Sequence, residues 1–220
     1  MDVSVLALGL DWRARRAIQG ELRGLAISSE TSRKRGLVHL TRRVARLLLR
    51  AKPSWVYGGA LNYSRRLSAR EAEAAFRRAT TDAASRYREE VLRNLRGQRS
   101  HQPASESRAR SEEGPGLLVV TLAVAARREL PDVRDVRDAF CLSAALSSIA
   151  QLRWEELVAV EVIWSPAVED DRMSSAELEI LYPELRKIED SSMVGRVFCR
   201  SCGGPYAAEL RRCPYCASAL

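Results

Sequence analysis

Four cysteines in the last two dozen residues carry the most specific chemistry of this 220-residue chain. Cys199 and Cys202 form one Cys-x-x-Cys pair, Cys213 and Cys216 a second, and the ten residues between the pairs suffice for a short hairpin that brings them together. Zinc accepts four thiolates in a tetrahedron at roughly 2.3 Å each, which closes its coordination sphere. Two cysteines spaced in this way turn both sulfurs onto one ion, and the tight turn between them aims backbone N–H groups at the thiolates. Gly203 suits the positive φ such a turn often requires, and Pro214 fixes φ inside the second pair. A catalytic zinc keeps an open position, usually beside histidine or carboxylate ligands. Four cysteines leave none, so the expected cofactor is a structural Zn2+ ion held by Cys199, Cys202, Cys213 and Cys216.

The competing readings are a pair of disulfides or four unrelated thiols. Disulfides need an oxidising compartment, and the start of the chain offers no export signal: Met1-Asp2 opens with an acid, and Val3–Leu10 is short and lacks a small-residue cleavage site. The paired spacing favours zinc, and the expected location is cytoplasmic. Over residues 198–217 the chain resembles the short zinc-ribbon family, through Phe198-Cys-Arg-Ser-Cys-Gly and Arg212-Cys-Pro-Tyr-Cys. Ala217 stands where that family commonly has glycine. If the ribbon acts on anything, it does so through the surface between its knuckles, at Tyr206, Arg211, Arg212 and Tyr215.

The remaining residues have to hold this clip in place. At 220 residues with a hydrophobic fraction of 46%, the chain can bury a substantial core. No apolar run approaches the ~20 residues of a membrane span. The net charge of +8 conceals a polarity, because residues 1–110 carry 24 basic against 10 acidic side chains while 111–190 carry 8 against 17. This arrangement either helps the two parts pack together or sets a surface for anionic partners apart from one that repels them.

Val3–Leu10 reads as a strand, and Asp11 as the N-cap of a helix in which Ile18, Leu22 and Leu25 recur at helical spacing. A second helix carries an apolar stripe at Leu37, Leu40, Val44 and Leu47 or Leu48, with Arg42, Arg46 and Arg50 lining another face. That row is either a phosphate site or a solvated basic face, with long stems covering apolar surface. Pro53 ends the helix, and Trp55-Val-Tyr-Gly-Gly-Ala reads as an extended segment closing in a glycine turn. Ser68-Ala-Arg-Glu is a capping box opening a long helix to about Arg96, apolar at Phe76, Ala79, Ala83, Tyr87, Val91 and Leu95. Residues 97–116 read as a flexible linker or loop.

Leu117–Ala126 is apolar on both faces and reads as a central strand. Asp132 or Asp135 caps a helix through Phe140, Leu142, Leu146 and Ile149, and Leu157–Trp164 is a second buried strand. A strand, helix, strand unit of this length predicts a parallel pair joined by a right-handed crossover, with an antiparallel arrangement through longer loops as the alternative. Glu161 interrupts the second strand and needs a partner, which predicts an edge position or an arginine opposite. Ser174 to Glu177 caps a short helix bent at Tyr182-Pro183, and Asp190–Gly195 connects it to the hairpin. The predicted fold is α+β: a small mixed sheet of three to four strands packed with about five helices, plus the zinc-ribbon hairpin. Its parts are 1–96 (helical N-terminal part), 97–116 (linker), 117–190 (βαβα part) and 196–220 (zinc ribbon).

Trp55-Val-Tyr-Gly, the Leu117–Ala126 run, Leu157-Val-Ala-Val-Glu-Val-Ile-Trp-Ser-Pro with the acidic Glu169-Asp-Asp after it, and Ser174–Leu185 together resemble an uncharacterised domain family. It is the family of cyanobacteria, plastids and other bacteria that includes the plant fluctuating-light acclimation protein, and the resemblance runs over about 3–188. It implies no catalytic residues. In photosynthetic members the domain follows a glycine-rich membrane-anchoring segment; this chain reads without one and with a zinc ribbon instead.

Enzymatic constellations are not visible. His39 and His101 lie in no motif with a nucleophile, Gly-Gly at 58 and 203 lacks the pattern of a phosphate loop, and Cys141 reads as a small core thiol. The expectation is a non-catalytic zinc-binding protein acting as a protein-interaction or scaffold module with an unknown protein partner. The alternative is nucleic-acid binding through the basic half and the ribbon, consistent with a pI of 9.6.

Overall fold

The computed structural model describes residues 1–63, 67–95 (backbone alone over 87–95), 116–166, 173–189, 197–206 and 208–220. Most of the linker read at 97–116, His101, the Glu169-Asp-Asp segment, the connector at 190–195 and the side chains of Tyr87, Val91 and Leu95 lie outside these residues.

The elements in order are β1 (Asp2–Leu10), α1 (Trp12–Ser28), α2 (Lys34–Arg50), β2 (Trp55–Tyr63), α3 (Ala69–Leu95), β3 (Leu118–Ala126), α4 (Ala139–Ala150), β4 (Leu157–Ser165), α5 (Ser175–Leu181) and β5 (Arg186–Lys187). One five-stranded sheet runs in the order β4-β3-β1-β2-β5, one strand more than the upper expectation. Every neighbouring pair is antiparallel, so the mixed sheet and the parallel crossover between β3 and β4 do not form. The reason lies in the loop after β3. It carries the chain across β1 and β2, where Asp2 Oδ2 accepts from the Leu130 amide at 2.7 Å and Asn62 donates to the Leu130 carbonyl. Helix α4 then runs back, and Arg128 donates to the Ser148 carbonyl at 3.0 Å. The chain therefore re-enters the sheet at the end where β3 left it, and β4 has to run the other way.

Alternation along β1 and β3 sorts the apolar residues onto two faces. Leu6, Leu8, Leu10, Leu118, Val120, Leu122 and Val124 meet α1, α2 and α4 in one core. Ala7 and Val119 meet α5 and the residues flanking it through Met173, Leu178 and Tyr182, while Val3, Val5, Ala123 and Ala125 meet the alanine face of α3. The sheet is thus covered on both faces, which explains why β1 and β3 are buried at all nine positions. By contrast β4 is an edge strand and only half-buried along most of its length, with Glu161 opposite Ala123. The edge position lets the carboxylate keep its contact with water, avoiding the desolvation cost.

Local signals hold where a cap is self-contained. Asp11 accepts from the Arg13 amide at 2.9 Å, and both Ser68-Glu71 and Ser174-Glu177 form reciprocal capping boxes. Helix α5 ends at Leu181 rather than bending at Tyr182, because Pro183 excludes a helical conformation at the residue before it. The cap of α4 is Asp138, neither Asp132 nor Asp135, since the Asp135 side chain is taken by the Arg137 amide at 2.9 Å in a turn of its own.

The predicted glycine turn at 58–59 is absent; β2 runs straight through, pairing Gly58 with Leu8 and Gly59 with Ala7. The glycines are there for close approach. A Cβ on Gly58 would sit 2.5 Å from both the Leu142 side chain and the Val136 carbonyl, and one on Gly59 would strike Leu185. Gly58→Ala is expected to cost about 1–3 kcal/mol, since the fully buried Leu142 and a backbone carbonyl both have to shift. Urea unfolding monitored by circular dichroism reads this, and an unchanged midpoint would contradict it.

Candidate metal centre

The hairpin has almost no ladder of its own. Isolated bridges join Phe198 to Pro205 and Arg212 to Ala219, and each Cys-x-x-Cys closes a tight turn, with the Gly203 amide donating to the Cys199 carbonyl and the Ala217 amide to that of Cys213. Gly203 adopts φ 73°, the conformation expected of it, and Ala217 adopts φ 58°. The two knuckles bring the four Sγ atoms within 4.8 Å of one another, forming a group that could hold a metal ion. Cys199 and Cys216 are 3.8 Å apart, Cys202 and Cys213 3.5 Å. A tetrahedron with bonds of roughly 2.3 Å requires sulfurs about 3.8 Å apart, so the donor set fits zinc. Disulfide sulfurs lie about 2.05 Å apart, whereas all five cysteines here are free.

Backbone donors reach the sulfurs as the turn geometry dictates, with the Gly204 amide 3.4 Å from Cys202 Sγ and the Tyr215 amide 3.4 Å from Cys213 Sγ. Ser218, missed in the sequence, places its hydroxyl 3.3 Å from Cys199 Sγ and 3.1 Å from Cys216 Sγ. Its position two residues after the last cysteine was the available signal. Hydrogen bonding from Ser218 brings the Cys199 thiol down to about 6 and lowers that of Cys216. Burial pushes Cys202 up to about 12 and raises Cys213. A bound dication overrides the latter pair, because coordination deprotonates a thiol outright.

The positive φ at Ala217 costs an L-residue about 1 kcal/mol. Ala217→Gly is accordingly expected to tighten zinc binding about fivefold, read by competition with a chromophoric chelator. Weaker binding would show that the turn carries no strain.

The hairpin lies against α1 and α2. Phe198 and Tyr215 pack against the main core, the Arg13 guanidinium stacks 4.2 Å from the Phe198 ring centroid, and Gly203 abuts the Arg13 carbonyl so closely that a Cβ would collide with it. Arg50 lies 5.8 Å from the ring of Tyr215, whose hydroxyl burial pushes up to about 12. Tyr215 therefore belongs to this internal contact, while Arg211 and Arg212 remain exposed and Tyr206 half-buried.

The other candidate residues do not converge here. The row of arginines on α2 divides: Arg42 Nε donates to the Leu152 carbonyl at 2.9 Å, Arg46 is exposed, and Arg50 turns to the hairpin. His39 is exposed. Cys141 is half-exposed rather than a core thiol, and its hydrogen bond to Asp138, 3.4 Å away, raises its pKa, the opposite of the shift that activates a nucleophile.

Residues 1–188 match the family described as "Protein of unknown function (DUF1517)". The chain is 30% identical over 176 residues to "Protein FLAP1 homolog A" of Synechocystis sp. (strain ATCC 27184 / PCC 6803 / Kazusa), covering 78% of this chain and 52% of that protein. It is 28% identical over 190 residues to "FLUCTUATING-LIGHT-ACCLIMATION protein 1, chloroplastic" of Arabidopsis thaliana, covering 86% and 46%. The chain spans about half the length of these curated relatives, and no solved structure matches it. The family match ends at residue 188, before the cysteines. The plant relative is chloroplastic by name, so a cytoplasmic location does not hold for the family in general. No described helix is long and apolar enough to cross a membrane.

Proposed function

We propose, for a chain that belongs to the DUF1517 family and hence to a family of unknown function, that Cys199, Cys202, Cys213 and Cys216 hold one structural zinc ion and that the protein is a non-catalytic interaction or scaffold module. The observation that carries this reading is the closure of the site. Four sulfurs lie within 4.8 Å of one another, and an all-thiolate set suits zinc and excludes hard cations such as Mg2+ and Ca2+. Cys199, Cys202, Cys213 and Cys216 would hold the ion, which would offset half of the thiolate charge and crosslink the two knuckles; the protein supplies the turns, the Ser218 hydroxyl and the amide donors.

A tail fixed in this way presents a small surface to a partner. Leu210 is 45% exposed beside the exposed Arg211 and Arg212, a pairing of apolar and cationic groups that suits an acidic protein face. Four unpaired thiols support a reducing compartment, the cytoplasm being the simplest.

Elemental analysis of the purified chain is expected to give one zinc per chain. Proximity labelling in the source cells, comparing the native chain with Arg211→Glu/Arg212→Glu, tests the interaction surface. A partner recovered with the native chain and lost with the zinc-replete variant supports the reading; identical labelling with both removes it.

A further inference from the structure

We propose that the groove between the N-terminal end of α2 and the turn before β4 is a binding site for a free nucleotide, recognised by its phosphates and its base. The site lies outside the hairpin: Arg35 and Arg50, at opposite ends of α2, are separated by roughly 22 Å at 1.5 Å per residue.

The cavity has a volume of about 350 Å³ and is lined by Arg35, His39, Arg42, Arg153, Trp154 and Glu155. Arg35, His39 and Arg42 are spaced i, i+4, i+7, which puts them on one face of the helix. Arg153 and Trp154 come from the turn after α4, more than a hundred residues away, so only the fold assembles the set. Three features distinguish it from an ordinary solvated face.

The first is an excess of positive charge, with Arg35, Arg42 and Arg153 lining the cavity beside the single lining carboxylate of Glu155. Among the described residues no carboxylate pairs with Arg35, His39 or Arg42, while Arg153 is shared with Glu156 at 3.3 Å. The first turn of α2 contains no acid and its cap makes no side-chain bond, so the positive end of the helix adds to the field. Holding like charges together is unfavourable, and a bound polyphosphate relieves it. The second is preorganisation. Arg42 Nε is engaged by the Leu152 carbonyl at 2.9 Å, which orients the guanidinium while its two terminal nitrogens remain for a bidentate phosphate contact. The third is an aromatic platform. Trp154 is 47% exposed, with the Arg35 guanidinium 5.9 Å from its ring centroid. A base stacks on such a ring whatever its identity. Glu155 on the rim offers an acceptor to ribose hydroxyls.

The volume lies at the small end of ligand pockets and suits one nucleotide. A single-stranded nucleic acid would use successive aromatic platforms along a groove, whereas this cavity provides Trp154 alone.

The test titrates fluorescent N-methylanthraniloyl-ADP into the zinc-loaded chain, with unlabelled ADP, pyrophosphate and a single-stranded oligonucleotide as competitors. Saturable one-to-one binding is expected, displaced by ADP. Both Arg35→Glu and Arg42→Ala are expected to weaken it at least tenfold; Arg35 is exposed, so its variant keeps the test valid if Arg42→Ala disturbs the Leu152 contact. Trp154→Ala is expected to weaken ADP about tenfold, within the range for base stacking, and to leave pyrophosphate within twofold. Arg211→Ala/Arg212→Ala, on the hairpin, is expected to bind as the native chain does. Absence of saturable binding, pyrophosphate binding as tightly as ADP to the native chain, an oligonucleotide outcompeting ADP, or equal loss in the hairpin variant would each overturn the proposal. None of these outcomes bears on the zinc site.

Discussion

Replacing Cys199 and Cys202 by alanine is expected to reduce bound zinc from one ion per chain to none and to detach residues 197–220 from α1 and α2 while the sheet stays folded. Two remaining thiolates cannot close a tetrahedron, and the free energy at stake is large: structural zinc in small modules contributes on the order of 10–16 kcal/mol. The hairpin has nothing comparable to replace it. Among the described residues its backbone is joined by two isolated bridges, and its contacts with the domain include Phe198 and Tyr215 packed against the main core, Arg13 on Phe198, Gly203 against the Arg13 carbonyl, and Arg50 near Tyr215. Each cation–π pair is worth about 0.5–2 kcal/mol, and each depends on the knuckles keeping their shape. The sheet core formed by β1, β3 and the helices has its own closed packing. Metal analysis combined with limited trypsin digestion tests both halves of this expectation. The variant should be cut rapidly at Arg211 or Arg212 and retain native circular dichroism from the sheet. Full zinc content in the variant would refute the ligand set, and an undiminished resistance to trypsin would show that docking does not need the ion.

Trp55→Ala is expected to destabilise the domain by about 3–5 kcal/mol, the range for truncating a fully buried large aromatic, and to lower the melting temperature by on the order of 10 °C for a chain of this size. Trp55 is 0% exposed at the start of β2. Its indole Nε1 donates to the Leu48 carbonyl at 3.1 Å, satisfying one of the last carbonyls of α2, which no helical amide can reach. Removing the ring therefore opens a cavity in the main core and orphans a buried acceptor. Trp55→Phe, which fills most of the volume without the donor, should fall between the two. A loss below about 1 kcal/mol for the alanine variant would mean that the core collapses around the site.

The part of the structure legible in the sequence is the part whose cause is local. Asp11, Ser68 and Ser174 cap helices because each side chain reaches an amide two or three residues away, and those distances are properties of the chain. The strand at Leu118–Ala126 is legible because burial on both faces removes polar residues from both. The stretch at Leu157–Ser165 looks the same in sequence and yet became an edge strand, with Val160, Val162 and Trp164 packed against the main core and most of its positions only half-buried. The dipeptide Gly58-Gly59 is the converse case. Glycine permits a turn anywhere, but here what selected it is the approach of Leu142, Val136 and Leu185, none of which is near in sequence. Likewise Asp132, Asp135 and Asp138 are equivalent as caps until the surrounding loop assigns each its donor.

By itself the amino-acid sequence determined the grouping of four sulfurs that could hold a metal ion, because two Cys-x-x-Cys turns and a ten-residue span bring them together through short-range geometry. Only the tertiary structure decided what that site is attached to and which way it faces. The run of sheet order, the return of α4 that makes β4 antiparallel, the inward turn of Tyr215 and the meeting of Arg35, His39 and Arg42 with Arg153 and Trp154 all depend on packing between residues far apart in the chain. Such contacts are selected by shape and burial summed over the whole core, and no short stretch of sequence contains that sum.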